Sequence, residues 1–432
     1  MGKTISLRFR KSSIIGVLII YYMLIDSSFP FAEAGLVLNF FYWTKYIVAI
    51  VVILYATFCI HKRESALYIR CKRLSRLYFM PWVLMLLYSC IIWLTQGTSK
   101  PYITRGISNF IANVIPILLG ASLFMIYKKK TVKLVIVAIC MMALTNYTMG
   151  IVVNGPTFLL QLFNINCEES TFRVYKELHE IAYIAGLLLL YYFHNKNDKL
   201  NYSWLFSVFL IFFFAWKRIG IFALVVALML YTLLEHIDQR GKRFIILACG
   251  IVGFIFSILY VWMSASDELS LLLHKYGINM MGRDVLYSYF RKFCTFSIFY
   301  LGRGIGYVSK QFNYLTWEDV GAMIALKQGL HNDFFSLYLE IGMIGFIVWT
   351  IYQVIYIPRK ICEWSGINSA IRSLTFIIFT FITYTTDNTL RYFVYQMTLV
   401  ILITATTYEK CQIKYIIEKK CSNISEPERS VN

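Results

Sequence analysis

A helix of about 20 apolar residues crosses the roughly 30 Å hydrocarbon core of a bilayer, and this chain of 432 residues strings twelve such runs together. They centre on 12–31, 38–60, 77–95, 107–127, 134–153, 180–193, 203–215, 219–234, 244–263, 334–357, 374–386 and 392–405. Inside a bilayer the backbone amides have no water to bond, so runs of this kind are helical. The predicted fold is an all-α polytopic integral membrane protein of about twelve transmembrane helices. With 59% hydrophobic and only 15% charged residues, against about 25% charged in soluble domains, a soluble enzyme is excluded. Glycine and proline, at 23 and 7 residues, are too few for a disordered or collagenous chain.

The formal charge of +19 would suit nucleic acid were it not distributed by the membrane. The segments 1–11, 61–76, 128–133, 194–202, 235–243, 357–372 and 410–432 hold 27 of the 42 Lys and Arg residues, and all fall on one side of a twelve-span topology. By the positive-inside bias that side is the cytoplasm, with both termini in it. The basic start of the chain runs into the apolar stretch from Ile14 without a small-x-small cleavage signal, and reads as a first span. Residues 1–432 are expected to form a single transmembrane domain, with 264–332 as a large extracytoplasmic loop between helices 9 and 10 and 410–432 as a cytoplasmic tail. The segment 203–234 reads as two spans, because one long helix would hold Lys217 and Arg218 at mid-membrane at about 2.5–3.5 kcal/mol each.

Ten cysteines are scattered without a C-x-x-C pair or a histidine partner at zinc spacing, so no metal site and no cofactor is expected. The connection 264–332 is far longer than the usual loop, and long loops commonly carry function. Within it 284–300 is rich in aromatics around Arg291 and Lys292. It reads either as an interfacial amphipathic helix or as a helix packed on the bundle. A second segment, 154–179, contains Glu168, Glu169, Arg173, Lys176 and Glu177 and is a further candidate surface helix.

Four groups on the extracytoplasmic side could carry chemistry. Lys217 and Arg218, after Trp216, either snorkel to the headgroups or form an anion site. Gly282-Arg283-Asp284 and the turn Gly302-Arg303-Gly304-Ile305-Gly306 set arginines beside glycines. Glycine admits close backbone approach and guanidinium forks phosphate oxygens, so a pyrophosphate is a natural guest. His331-Asn332-Asp333 opens the tenth helix, where a cap and a titratable imidazole meet unsatisfied N–H groups; a histidine merely hydrogen-bonded to backbone is the alternative. Asp387-Asn388-Thr389-Leu390-Arg391 forms a tip between the last two spans, either a capped hairpin or a binder of sugar hydroxyls.

The order of spans, the basic residue after the seventh, Gly-Arg early in a long loop, Gly302-Arg303-Gly304-x-Gly306, then His331-Asn332-x-Phe334 and Glu340-x-Gly342-x-x-Gly345 together resemble the O-antigen polymerase and ligase superfamily. The similarity runs over most of the chain and is most specific from Gly302 to Gly345. Trp216-Lys217 departs from it, where Thr or Ser often precedes the arginine. The resemblance implies a GT-C-type membrane glycosyltransferase architecture. It assigns Arg218, Arg283, Arg303 and His331 to catalysis, and points to Asp387 and Asn388 as a polar pair beside them. Lys217, Gly302, Gly304, Gly306 and Asn332 are further candidate substrate contacts.

Members of that superfamily act at the outer face of the bacterial cytoplasmic membrane. They move a glycan from undecaprenyl diphosphate to a sugar hydroxyl without a nucleotide sugar and without a metal. Cations at the membrane surface would stabilise the departing diphosphate, and His331 would take the proton of the acceptor hydroxyl. Tyr287, Tyr307, Tyr314 and Trp317 could stack on sugars or contact lipid. The favoured branch is the polymerase, with undecaprenyl-diphosphate-linked oligosaccharide as both donor and acceptor. Membrane lipids are further expected partners, as are a chain-length regulator and a flippase, and nucleic acid is not. A ligase passing glycan to lipid A-core or protein is the alternative. A transporter or flippase would place its charges within helices around a central cavity, and a purely structural membrane protein would need none of the four groups.

Overall fold

The computed structural model describes residues 11–27, 36–60, 65–164, 175–195, 202–280, 282–316 and 329–424. The expectations for Glu168, Glu169, Arg173 and Trp317 fall outside the described residues. Among the described residues the structure is all helix and turn, with no strand. The helices are α1 (Lys11–Leu24), α2 (Leu36–Tyr55), α3 (Ser65–Thr95), α4 (Lys100–Tyr127), α5 (Lys130–Asn154), α6 (Thr157–Gln161) and α7 (His179–His194). They continue as α8 (Tyr202–Ala215), α9 (Arg218–Glu235), α10 (Gln239–Ser266), α11 (Glu268–Lys275), α12 (Arg283–Arg291), α13 (Tyr307–Gln311), α14 (Asp333–Ile351), α15 (Ile357–Ser365), α16 (Ile367–Thr383) and α17 (Phe393–Ile424).

A helix underlies each of the twelve apolar runs, and among the described residues eight helices are long and apolar enough to cross a membrane. The protein is thus an all-α, multi-pass membrane protein. The helices α1, α8 and the apolar part of α17 are shorter. Trp216 and Lys217 separate α8 from α9, Trp216 with a left-handed φ of 47°.

Apolar burial and exposure sort the helices. In α10 only 17% of the apolar window is buried, and Phe244, Val252 and Leu259 are exposed on it, as suits a helix bathed in lipid. At the centre, α7 and the first half of α17 are buried almost throughout. The helix α17 packs chiefly on α4 and α7, and α9 on α16. Close approach is licensed by small residues: a Cβ on Gly120 of α4 would lie 2.5 Å from the Met397 carbonyl oxygen of α17.

The segment between α10 and α14 is folded onto the bundle. Within the stretch 284–300, regular helix is limited to α12, which turns Leu286, Tyr287, Tyr289 and Phe290 inward. Of the two readings this sequence allowed, it adopts packing on the bundle. Arg291 is spent on structure, pairing with Asp267 at 2.6 Å and donating to the Ser264 carbonyl at 2.9 Å.

The helix α14 is broken at Gly342, whose φ of 65° no right-handed helix contains. The turn that follows Tyr300 fills the break. Met343 N donates to Tyr300 O at 2.9 Å, Arg303 N to Leu339 O at 3.0 Å and Gly304 N to Glu340 O at 2.7 Å. These bonds satisfy backbone groups that the kink would otherwise orphan. A Cβ on Gly302 would lie 2.5 Å from Gly342 N, so the two glycines are in backbone contact. Gln96 and Tyr88 of α3 hold the same turn, donating to Gly302 O at 2.9 Å and Leu301 O at 3.1 Å.

Candidate functional site

Five separate stretches meet at one end of the bundle: the start of α7, the α8–α9 turn, the start of α12, the residues leading into α14, and the turn between α16 and α17. Asp387 is their common point. Its Oδ2 accepts from the Tyr183 hydroxyl at 2.7 Å. Its Oδ1 accepts from Tyr392 at 2.7 Å and from Asn388 N at 2.8 Å. The imidazole Nδ1 of His331 stands 3.7 Å from the same oxygen. Burial alone would raise the Asp387 carboxyl, but the facing His331, Lys217 and the Tyr183 hydroxyl outweigh it and hold the group well below the usual carboxylate range.

Asn388 fixes the backbone beside this carboxylate, its Oδ1 accepting from His331 N at 3.0 Å. Its Nδ2 lies 3.5 Å from His331 Nδ1. His331 adopts φ 51°, a left-handed conformation uncommon outside glycine. Asn332 is the N-cap of α14: Oδ1 accepts from Phe335 N at 2.9 Å, and Nδ2 donates to Ser264 at 3.1 Å. Asp333 Oδ2 accepts from Leu390 N at 2.8 Å and ties α14 to the 387–391 turn.

Two cations reach the cluster. Lys217 faces Asp387 and His179 and is paired with Glu177 at 2.5 Å. Arg283, half-buried at the start of α12, faces the phenols of Tyr183, Tyr260 and Tyr287. Its backbone N donates to Met280 O at 3.2 Å, and among the described residues its guanidinium makes no hydrogen bond or ion pair. Burial pushes the Tyr287 phenol up to about 12, against the pull of Arg283 and Asn332.

Lys217, Arg283, His331, Asn332, Asp387 and Asn388 are therefore brought together, and two of the arginines singled out from sequence stand apart. Arg218 heads α9 with an exposed side chain, and the cation turned inward is its neighbour Lys217. Arg303 belongs to the turn at the α14 kink. Its main chain bonds Leu339, roughly 9 Å along the helix from Asp333 at 1.5 Å per residue. Its exposed side chain lines an open cleft with Gln96, Thr295, Ser297, Phe299 and Tyr300. Gly302, Gly304 and Gly306 are in tight contact with Gly342, Trp93 and Gly106 respectively.

Several neighbours were not among the candidate site residues read from the sequence: Tyr183, His179, Tyr260, Tyr392, and Glu177, which was noted only within a candidate surface helix. Glu177 belongs to the connection before α7, and His179 is the first residue of that helix. Burial and the facing Lys217 push the His179 imidazole down to about 4. A usable signal existed for one of them, since His179 and Tyr183 are spaced i, i+4 and share a helix face. Arg391, read as part of the polar tip, turns instead into the bundle, pairing with Glu340 at 3.0 Å and donating to Ser336 at 2.7 Å.

The arrangement offers a carboxylate-backed imidazole and two cations at one end of a membrane bundle. Among the described residues no cluster of His, Cys, Asp and Glu could hold a metal ion. No protein-family model matches the chain, and no curated protein matches it.

Proposed function

We propose that this chain is a glycosyltransferase of the bacterial cytoplasmic membrane that polymerises undecaprenyl-diphosphate-linked repeat units of an O-antigen or capsular polysaccharide on the extracytoplasmic face. The observation that carries the reading is the convergence of His331, Asp387, Lys217 and Arg283 from distant parts of the chain. The twelve-span topology inferred from the basic-residue bias, with both termini cytoplasmic, turns this end outward. In the sequence, Gly302 to Gly345 resembles the O-antigen polymerase and ligase superfamily.

The proposed chemistry follows from the groups present. The acceptor hydroxyl attacks the anomeric carbon of the donor glycan and forms a new C–O bond. The bond from that carbon to the lipid diphosphate breaks, and its electron pair leaves with the diphosphate. Lys217 and Arg283 stabilise the charge that develops there. The hydroxyl proton goes to His331, whose Nδ1 side is turned to Asp387 and whose Nε2 is left for the substrate. An ionised Asp387 favours the imidazolium that forms. Arg303, in its own cleft, is assigned no part in this step.

Deletion of the encoding sequence tests the reading in cells. The polymerase reading predicts single repeat units on the surface of the deleted strain. Full-length glycan stranded on undecaprenyl diphosphate would show a ligase instead, and unchanged surface glycan would reject both.

A further inference from the structure

Arg303 and its cleft take no part in the transfer step proposed above. The cleft is open, with a volume of about 290 Å³, and Gln96, Thr295, Ser297 and Phe299 line it beside Arg303. Among the described residues the guanidinium has a single polar contact, Nη2 to the Phe293 carbonyl at 3.5 Å, which is too long to satisfy it. The Ser297 hydroxyl, which accepts from Phe299 N at 3.2 Å, keeps its own proton to donate in the same cleft. The Phe299 ring is 87% exposed at the rim.

Below the cleft α3 and α14 meet. The turn that carries Arg303 is bonded to both, by Tyr88 donating to Leu301 O at 3.1 Å and by Met343 N donating to Tyr300 O at 2.9 Å. A Cβ on Gly345 of α14 would lie 3.4 Å from the Tyr88 ring. Around this approach Leu84 and Ile91 of α3, and Ile344 and Val348 of α14, are exposed. Leu84, Tyr88 and Ile91 stand at i, i+4 and i+7 and share a face. The apolar span in α3 ends at Thr95, beside Gln96, so the cleft lies at headgroup level and the exposed side chains below it lie in hydrocarbon. From Gln96 down to Leu84 is about 18 Å at 1.5 Å per residue, roughly the depth of one leaflet of a 30 Å core.

We propose that the Arg303 cleft binds the phosphodiester of a bilayer phospholipid, with an acyl chain lying along the exposed residues of α3 and α14. A guanidinium forks phosphate oxygens, and its one positive charge balances the one negative charge of a phosphodiester, whereas a diphosphate would be left with excess charge. The bound lipid stabilises the turn that fills the α14 kink. The assignment does not depend on the glycosyl-transfer reading.

The test follows thermal unfolding of the full chain in a neutral detergent as dioctanoyl phosphatidylglycerol is added, for wild type, Arg303→Ala and Arg303→Gln. A ligand of the folded state raises the unfolding temperature as its concentration rises. The proposal predicts such a rise in wild type, and a half-maximal lipid concentration at least about tenfold higher in both variants, the loss of a charge-assisted hydrogen bond. Both variants should unfold near the wild-type temperature before lipid is added, since the guanidinium makes only the one long contact. A wild-type half-maximal concentration in either variant overturns the proposal. So does an equal rise with dioctanoylglycerol, which lacks the phosphate, or with inorganic phosphate alone, which lacks the chains. Undecaprenyl phosphate acting at tenfold lower concentration than the phospholipid would assign the cleft to a polyprenyl lipid and overturn it as well.

Discussion

His331 Nδ1 and Asp387 Oδ1 stand 3.7 Å apart although one precedes α14 and the other joins α16 to α17. Asn388, bonded to the His331 backbone at 3.0 Å, holds the two stretches in register. In the proposed transfer this carboxylate would orient the imidazole that takes the acceptor proton.

The first expectation concerns that carboxylate. Asp387→Asn removes the charge that favours the imidazolium, and turnover should fall by about 10²-fold or more with KM for the lipid-linked donor little changed. Steady-state elongation in proteoliposomes reads it, and turnover within a few-fold of wild type would contradict the dyad. The carboxyl is held low in the folded protein, so its stabilising contribution is complete above the unfolded value of about 3.9 and is lost as pH falls through the folded one. Wild type should thus exceed Asp387→Asn in unfolding temperature at pH 6, with the gap closing only in strong acid.

The two adjacent cations should separate. Lys217 faces Asp387 and pairs with Glu177 at 2.5 Å, whereas Arg218 is exposed on α9. Lys217→Ala should cost about tenfold or more in kcat/KM and Arg218→Ala less than about threefold. The reverse order would place the anion contact at Arg218. Arg283→Lys, which keeps charge but loses the fork, should fall between wild type and Arg283→Ala.

A structural expectation follows from the kink in α14. A Cβ on Gly342 would sit 2.2 Å from the Tyr300 carbonyl oxygen, and its φ is left-handed. Gly342→Ala should therefore destabilise the protein by more than about 2 kcal/mol, read as a lower unfolding temperature in detergent. An alanine variant of wild-type stability would mean that the 300–304 turn does not fill the break.

The Arg391–Glu340 pair gives a test by double substitution. Glu340 is buried with 4% side-chain exposure. Removing Arg391 alone leaves a buried acid without its cation, at a cost of about 3–5 kcal/mol. Arg391→Met should reduce the folded yield sharply, and Glu340→Gln in the same chain should recover much of it. Equal loss in the single and double variants would show that the ion pair is not what stabilises this corner.

How much was legible in advance depends on the scale of the interaction. Apolar runs are long-range averages, and a helix lies under each one. Cluster membership rests on the rotation of single side chains. Lys217 and Arg218 are neighbours in sequence, yet the start of α9 turns one inward and leaves the other exposed. Gly302 and Gly342 were conspicuous as glycines, but their pairing across 40 positions needed the fold, because either glycine alone is equally compatible with approach to a ligand. Tyr183 and Tyr392 were hidden among 32 tyrosines in an apolar chain. Only their contact with Asp387 distinguishes them.

The central claim is that this end of the bundle meets the lipid-linked glycan outside the cytoplasm, and the sidedness of Tyr276, exposed in the segment after α11, tests it most directly. In a cysteine-free background carrying Tyr276→Cys, a membrane-impermeant maleimide added to intact spheroplasts should label the chain fully, with no increase on permeabilisation. Labelling that appears only after the membrane is opened would put the cluster on the cytoplasmic side and contradict the account.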